Sequence, residues 1–307
     1  MGGFLLFSMI GGTLTSVKWE RGNDMNYKIV SDSSSNVMEL EGVPFASVPL
    51  KIVAGDKEYV DDASLNVQEM VHDLQEYRGK SSTSCPNAGD WLDAFGDATH
   101  IFCVTITGTL SGSYNAACLA KQTYEEQHPD RRVFVINSLS AGPELQLIIE
   151  RLQELAAAGT DYDEICRKIG EYQKKTGLLF MLESMKNLAN NGRVSPLVAK
   201  AAGFLGIRVV GKASDKGDLE PLNKCRGESK ALDTIVQHLK ELGHTGGKIR
   251  ISHCFNENAA NELKQRIQTQ FSKAQIEIGK CRALCSFYAE KGGLLIGFER
   301  TPATGKE

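Results

Sequence analysis

The chain has 307 residues, 41% of them hydrophobic and 24% charged. Those fractions exclude a disordered chain, and no apolar run approaches the about 18 residues of a membrane-spanning helix. The net charge of −3, from 35 Lys and Arg against 38 Asp and Glu, argues against a global electrostatic hold on nucleic acid or an anionic membrane.

Residues 1–24 carry the apolar stretch Phe4–Ile10 but lack the basic start, longer apolar region and cleavage site of a secretory signal. They are read as an extension ahead of a start at Met25, an arm packing on a partner being the other reading. Tyr27–Val30 is a short β-prone run ending in Asp32-Ser33-Ser34-Ser35. Val48–Val53 and Lys57–Val60 flank Ala54-Gly55-Asp56, the pattern of a hairpin. Val67, Met70, Val71 and Leu74 recur at helical spacing. Ser81–Asn87 reads as a polar turn, with Pro86 placed to open the next helix, which holds Trp91, Leu92 and Phe95. Thr99–Ile106 is apolar nearly throughout, as in a strand covered on both faces. Thr107–Gly112 leads into an Ala-rich helix, Tyr114–Glu126. Val133–Ile136 is the next strand, and a helix from Glu144 to Ala158 stops at Gly159.

The second half changes character. Asp161–Tyr172, Ser184–Ala189, Glu228–Leu242 and Asn258–Gln268 read as helices. Leu178–Leu182, Phe204–Val210, Lys248–Ser252, Gln275–Ile278 and Leu294–Phe298 read as strands, with a hairpin-like stretch around Lys216-Gly217-Asp218. The expectation is an α/β protein with a parallel-sheet α/β domain over 25–160 and a mixed-sheet α+β domain over 161–307. The 8 cysteines include no C-x-x-C pair, and Cys281 and Cys285 have no flanking His. They read as reduced thiols of a cytoplasmic protein, not as a metal site.

Ligands of a doubly wound sheet bind at the carboxyl ends of its strands, where helix N-termini offer free N–H groups. Here those junctions carry Ser33–Ser35, Thr83-Ser84, Ser111-Gly112-Ser113 and Ser138. None contains Lys or Arg, which suits a carboxylate better than a phosphate. Ser and Thr are also ordinary helix caps, so capping alone explains any one of these turns.

The set becomes specific when read in order: Tyr27–Asp32 with Ser33-Ser34, Thr83-Ser84-Cys85-Pro86-Asn87, Leu110-Ser111-Gly112-Ser113-Tyr114-Asn115-Ala116-Ala117, Asn137-Ser138, Asn191-Gly192-Arg193-Val194-Ser195 and Lys224-Cys225-Arg226-Gly227. Together these resemble the DegV family of bacterial fatty-acid-binding proteins, from about Met25 to Phe298. The resemblance implies two domains and a long acyl chain in a buried tunnel. Its carboxylate would lie on Thr83 and Ser111, supported by Ser84 and Gly112. Family members that partner a fatty acid kinase add a His from a His-x-Gly-Pro-Gly stretch. Here Tyr288-Ala289-Glu290-Lys291-Gly292-Gly293 matches that stretch. Tyr288 stands in the place of the His; its hydroxyl still donates to a carboxylate but carries no positive charge near neutral pH. Other departures are Cys85 for Gln, Asn87 for Ser or Thr, Asn137 for Asp and Asn191 for Gly. In kinase-linked members, basic residues near the last two motifs dock the kinase, which assigns that role to Arg193 and Arg226.

The implied protein is a lipid carrier without enzymatic activity or cofactor. Its partners would be a long-chain fatty acid and a separate fatty acid kinase. Each buried methylene is worth about 0.8 kcal/mol, so a sixteen-carbon tail supplies roughly 10 kcal/mol of gross drive. Leu178–Leu182 and Phe204–Val210 are candidate walls, with Met181 and Met185 as adaptable filler. A serine-type acyl hydrolase using Ser111 is the rival, although Gly108–Gly112 is not G-x-S-x-G. No G-x-G-x-x-G follows the first strand, against a dinucleotide enzyme.

Overall fold

A computed structural model describes residues 27–197 and 206–301. A parallel sheet forms first, in the order β2 (Phe45–Val48), β1 (Tyr27–Asp32), β6 (His100–Thr105), β7 (Arg132–Asn137). Alternation along β6 explains its unbroken apolar run. Phe102 and Val104 face a cluster with α4 (Pro143–Ala157) and α5 (Tyr162–Gln173). Ile101 and Cys103 face α2 (Ala88–Phe95) and α3 (Ser113–Gln127). Past residue 160 the chain still serves this sheet, because Tyr162, stacked on Phe102, and Ile165 and Ile169 of α5 lie in its core.

The second sheet is mixed, in the order β10 (Leu219–Arg226), β9 (Ile207–Ala213), β8 (Thr176–Leu182), β13 (Leu294–Glu299), β11 (Lys248–His253), β12 (Gln275–Lys280). Only β11 and β12 pair in parallel; the other neighbours are antiparallel. Leu179 and Met181 face α7 (Glu228–Glu241) and α8 (Glu257–Gln270). Leu178, Phe180 and Leu182 face the opposite way, toward α6 (Lys186–Asn190) and α9 (Ala283–Ala289). Helix α4 lies between the two sheets and touches strands of both. Gly297 of β13 makes that approach feasible, since a Cβ there would sit 2.5 Å from the backbone of Pro143. Arg250 of β11 locks the contact with a two-pronged bond to Glu150 of α4, at 2.7 and 2.8 Å.

A small antiparallel sheet, β4 (Lys57–Val60), β3 (Lys51–Ala54), β5 (Ser81–Ser84), bridges the two. Here the structure corrects the sequence reading. Val48–Val53 is not one strand: Val48 ends β2 in the parallel sheet, Pro49 interrupts, and Lys51 starts β3 in another sheet. Ser81–Ser84 is not a turn but the strand paired with β3, and its hydroxyl-only sequence gives no apolar alternation to reveal it. Pro86 does not open α2; Asn87 caps that helix in a reciprocal box with Asp90. Of the expected strand Phe204–Val210, residues 204 and 205 lie outside the described residues, and β9 runs on to Ala213. Helix α9 has no counterpart in the sequence reading. Among the described residues no helix is long and apolar enough to cross a membrane.

Candidate functional site

The inner face of the mixed sheet, α9, β5 and the loop after β6 enclose a cavity of about 310 Å³. That is within the usual range of about 300–1,000 Å³ for small-molecule sites. Its walls are apolar, with Leu50, Ile106, Leu178, Phe180, Leu182, Leu188, Leu219, Leu284 and Leu295 among them. Strand alternation selects three wall residues from Leu178–Leu182 and turns Met181 into the core on the far side. Among the described residues, Met181, Met185 and the 207–210 stretch do not line the cavity, against the expectation for them.

Polar groups gather on one side. Thr83, Ser84, Ser111, Gly112, Tyr288 and Arg193 all border the cavity, though they come from separate parts of the chain. Thr83 Oγ1 and the Tyr288 hydroxyl are hydrogen-bonded at 2.7 Å. Burial pushes the Tyr288 phenol above its usual 10.0, while Thr83 and the nearby Arg193 charge pull the other way. The phenol therefore holds its proton at neutral pH and remains a donor. Ser111 Oγ accepts from Ser113 N–H at 3.3 Å, which leaves its own proton free to donate. Gly112 lets this turn lie against the residue that follows β5: a Cβ there would sit 3.1 Å from Cys85 Sγ.

The cation missing from the hydroxyl turns arrives from elsewhere. Arg193 Nε donates to Leu110 O at 3.1 Å, and Nη1 donates to Asn191 O. Its guanidinium is thereby fixed beside Ser111, at the cavity wall. Arg226, the other Arg of the basic motifs, is exposed at the end of β10 and does not border the cavity.

The remaining hydroxyls build the frame. Ser33 Oγ accepts from Leu50 N–H at 3.0 Å, and Ser138 bonds within its own turn to Ser140. Two carboxylates do more positioning, and the sequence reading gave neither a role. Asp32 is fully buried and accepts from Ser113 Oγ at 2.7 Å and Ile106 N–H at 2.9 Å, and from Ser34. It pins both ends of the loop that carries Ser111. Asp61, also fully buried, accepts from Ala283 N–H at 3.1 Å and Leu284 N–H at 2.9 Å. It caps α9 from more than two hundred residues away and so sets where Tyr288 falls. Burial is the largest influence on both carboxyls and raises their pKa above the ordinary 3.8, against the bonds they accept. An acid closing an apolar run, as in YKIVSD, is the one signal that pointed to Asp32.

The hydrolase alternative finds no support here. None of the six histidines borders the cavity, so Ser111 has no imidazole base beside it. Cys281 and Cys285 are buried free thiols.

A family model described as uncharacterised protein, DegV family, matches residues 26–300. A DegV domain-containing protein of Streptococcus pneumoniae strain R6 is 44% identical over 279 residues, covering 90% of this chain and 99% of that protein. A crystal structure of the Streptococcus pneumoniae Fatty Acid Kinase (Fak) B3 protein loaded with linoleic acid superposes with a TM-score of 0.89 at 44% identity, over 90% of this chain and 100% of that one. A DegV family protein from Eubacterium eligens loaded with heptadecanoic acid gives 0.88 at 42% identity, with the same coverage.

Proposed function

The chain belongs to the DegV family, and from that premise we propose that it binds a long-chain fatty acid in the apolar cavity, with the carboxylate on the polar side of its wall. One observation carries the reading: an apolar chamber bordered on one side by four hydroxyls, two of which approach from different parts of the chain to bond each other, and by a backbone-anchored guanidinium. The tail supplies the binding free energy by leaving water. The head group needs partners, because a buried carboxylate without them costs several kcal/mol, on the order of 2–7 even for a neutral polar group. The bonded pair Thr83 and Tyr288 has one proton left to donate, Ser111 donates a second, and Arg193 supplies a positive field. Ser84 and Gly112 shape the turns. The same chemistry is consistent with the fatty-acid-loaded relatives.

The protein acts as a carrier and not as an enzyme. Ser111 orients a carboxylate and attacks nothing, and no cofactor takes part. The likeness to the Fak B3 protein supports a further role, presenting the carboxylate to a separate ATP-dependent kinase that forms an acyl phosphate. Exposed Arg226 is the docking residue on that model, while Arg193 serves the ligand. The setting is cytoplasmic, where the eight cysteines stay reduced.

The test is a titration of full-length protein with a fluorescent fatty acid, comparing the natural chain with Thr83→Val combined with Ser111→Ala. Two lost charge-assisted hydrogen bonds predict affinity weaker by about a hundredfold or more, with the fold intact by circular dichroism. Unchanged affinity in the double variant would remove the carboxylate from this place.

A further inference from the structure

The acyl cavity has a neighbour. A second recess of about 410 Å³ opens beside it, and among the described residues Leu178 alone borders both. The two differ in character. The second is lined by the charged Glu144, Lys174, Lys212 and Arg300 together with Leu139, Leu242 and Phe298. Glu144 is buried and accepts from Thr176 Oγ1 at 2.7 Å. Arg300 Nε is buried with no hydrogen-bond partner.

Leu178, Phe180 and Leu182 form a row along the cavity wall, and at about 3.3 Å per residue the first and last stand about 13 Å apart. The head-group residues belong to the Leu182 end. Beyond Leu182 the chain runs through α6, where Asn187 Nδ2 donates to Phe287 O of α9 at 2.9 Å, to Asn191, whose Nδ2 donates to Ser81 O of β5 at 3.3 Å. Arg193 follows and reaches Leu110 O. Leu178 is thus at the far end of the row. It is held there, because it pairs in register with Gly297, whose backbone is pressed against Pro143.

We propose that Leu178 is the end stop of the acyl chamber and the residue that sets the longest chain accepted. The inference rests on the fatty-acid reading above. A terminal methyl that stays short of Leu178 is surrounded by apolar walls. One that passes it enters a space holding a carboxyl group and an unpaired guanidinium N–H. There it gains less per methylene than in the apolar chamber, because it also crowds the water that the buried Glu144 carboxyl and the Arg300 N–H need. The affinity should therefore rise with chain length and then break off, and Leu178 should set the break.

The experiment is displacement of a bound fluorescent fatty acid by the saturated series from decanoate to docosanoate, using the full chain and its Leu178→Ala, Leu178→Val and Leu178→Phe variants. Each methylene accommodated is worth about fourfold in affinity. Leu178→Ala should raise the arachidate-to-myristate affinity ratio about tenfold, and Leu178→Phe should lower it by a similar factor. Leu178→Val, the mildest truncation, should raise it about threefold and keeps the test open if the larger changes impair folding. The same length ranking in all folded variants would overturn the role of Leu178 and leave fatty-acid binding standing. Failure of the unmodified protein to bind any acid of the series would instead overturn the fatty-acid reading, and this inference with it.

Discussion

At the scale of single residues, the site is a meeting of hydroxyls with one cation. Tyr288 is the test case. Its bond to Thr83 couples two parts of the chain through a donor that stays neutral. Tyr288→Phe keeps the ring and removes the donor, so acyl affinity should fall about tenfold or more in a titration, with little change in thermal stability. An unchanged affinity would mean that the carboxylate does not reach this hydroxyl. A second prediction concerns pH. His244 donates from Nδ1 to Glu299 O at 2.7 Å, its Nε2 is buried without a partner, and burial lowers its pKa below 6.5. The unfolded chain then takes up this proton before the folded one does, so stability is full above that value and falls as pH drops through and below it. The raised carboxyls Asp32 and Asp61 act in the opposite sense, since the folded state keeps protons the unfolded state has released. The histidine contribution is therefore read as a difference: unfolding midpoints measured between about pH 7 and pH 5 should fall more steeply for the natural chain than for His244→Gln. Parallel curves would refute it. Much of this scale was legible in the sequence. Thr83, Ser111 and Gly112 sit in short ordered motifs. Arg193 was legible as a basic motif residue but not as a wall of the cavity, because the target of a long side chain depends on which backbone carbonyls the fold brings near.

At the scale of elements, the informative cases are β5 and α9. Both frame the cavity, and neither was read from the sequence. Strand β5 is SSTS, with no apolar face of its own; it exists because β3 offers an edge. Helix α9 spans seven residues, too short to show a period, and its first N–H groups are satisfied by Asp61 of a distant loop. Long amphipathic helices and the buried strand β6 were legible because their own periodicity records which faces are covered. The dependence of α9 on Asp61 gives a prediction. Asp61→Ala leaves two buried N–H groups without acceptors and should cost about 3 kcal/mol in urea unfolding, with a loss of acyl affinity as Tyr288 shifts. Asp61→Asn retains one acceptor oxygen and should cost about half as much. Equal stability for all three proteins would show that α9 does not depend on this cap.

At the scale of the whole molecule, two sheets meet through α4 and a small bridging sheet, and the cavity lies where they converge. The parallel half and the mixed half were both legible, since β-turn-α repeats and hairpin signals differ in pattern. Their mutual placement was not, because it depends on contacts such as Arg250 with Glu150 and Gly297 with Pro143, which join residues far apart in the chain. The consequence is functional: the head-group side draws on residues from 83 to 288, so no local segment could bind a fatty acid alone. The most direct measurement is native mass spectrometry of the purified full-length protein, followed by solvent extraction and lipid analysis. The account predicts one adduct per chain of fatty-acid mass, which extraction removes and added palmitate or oleate restores. A protein that appears only at its own mass and takes up neither acid would contradict it.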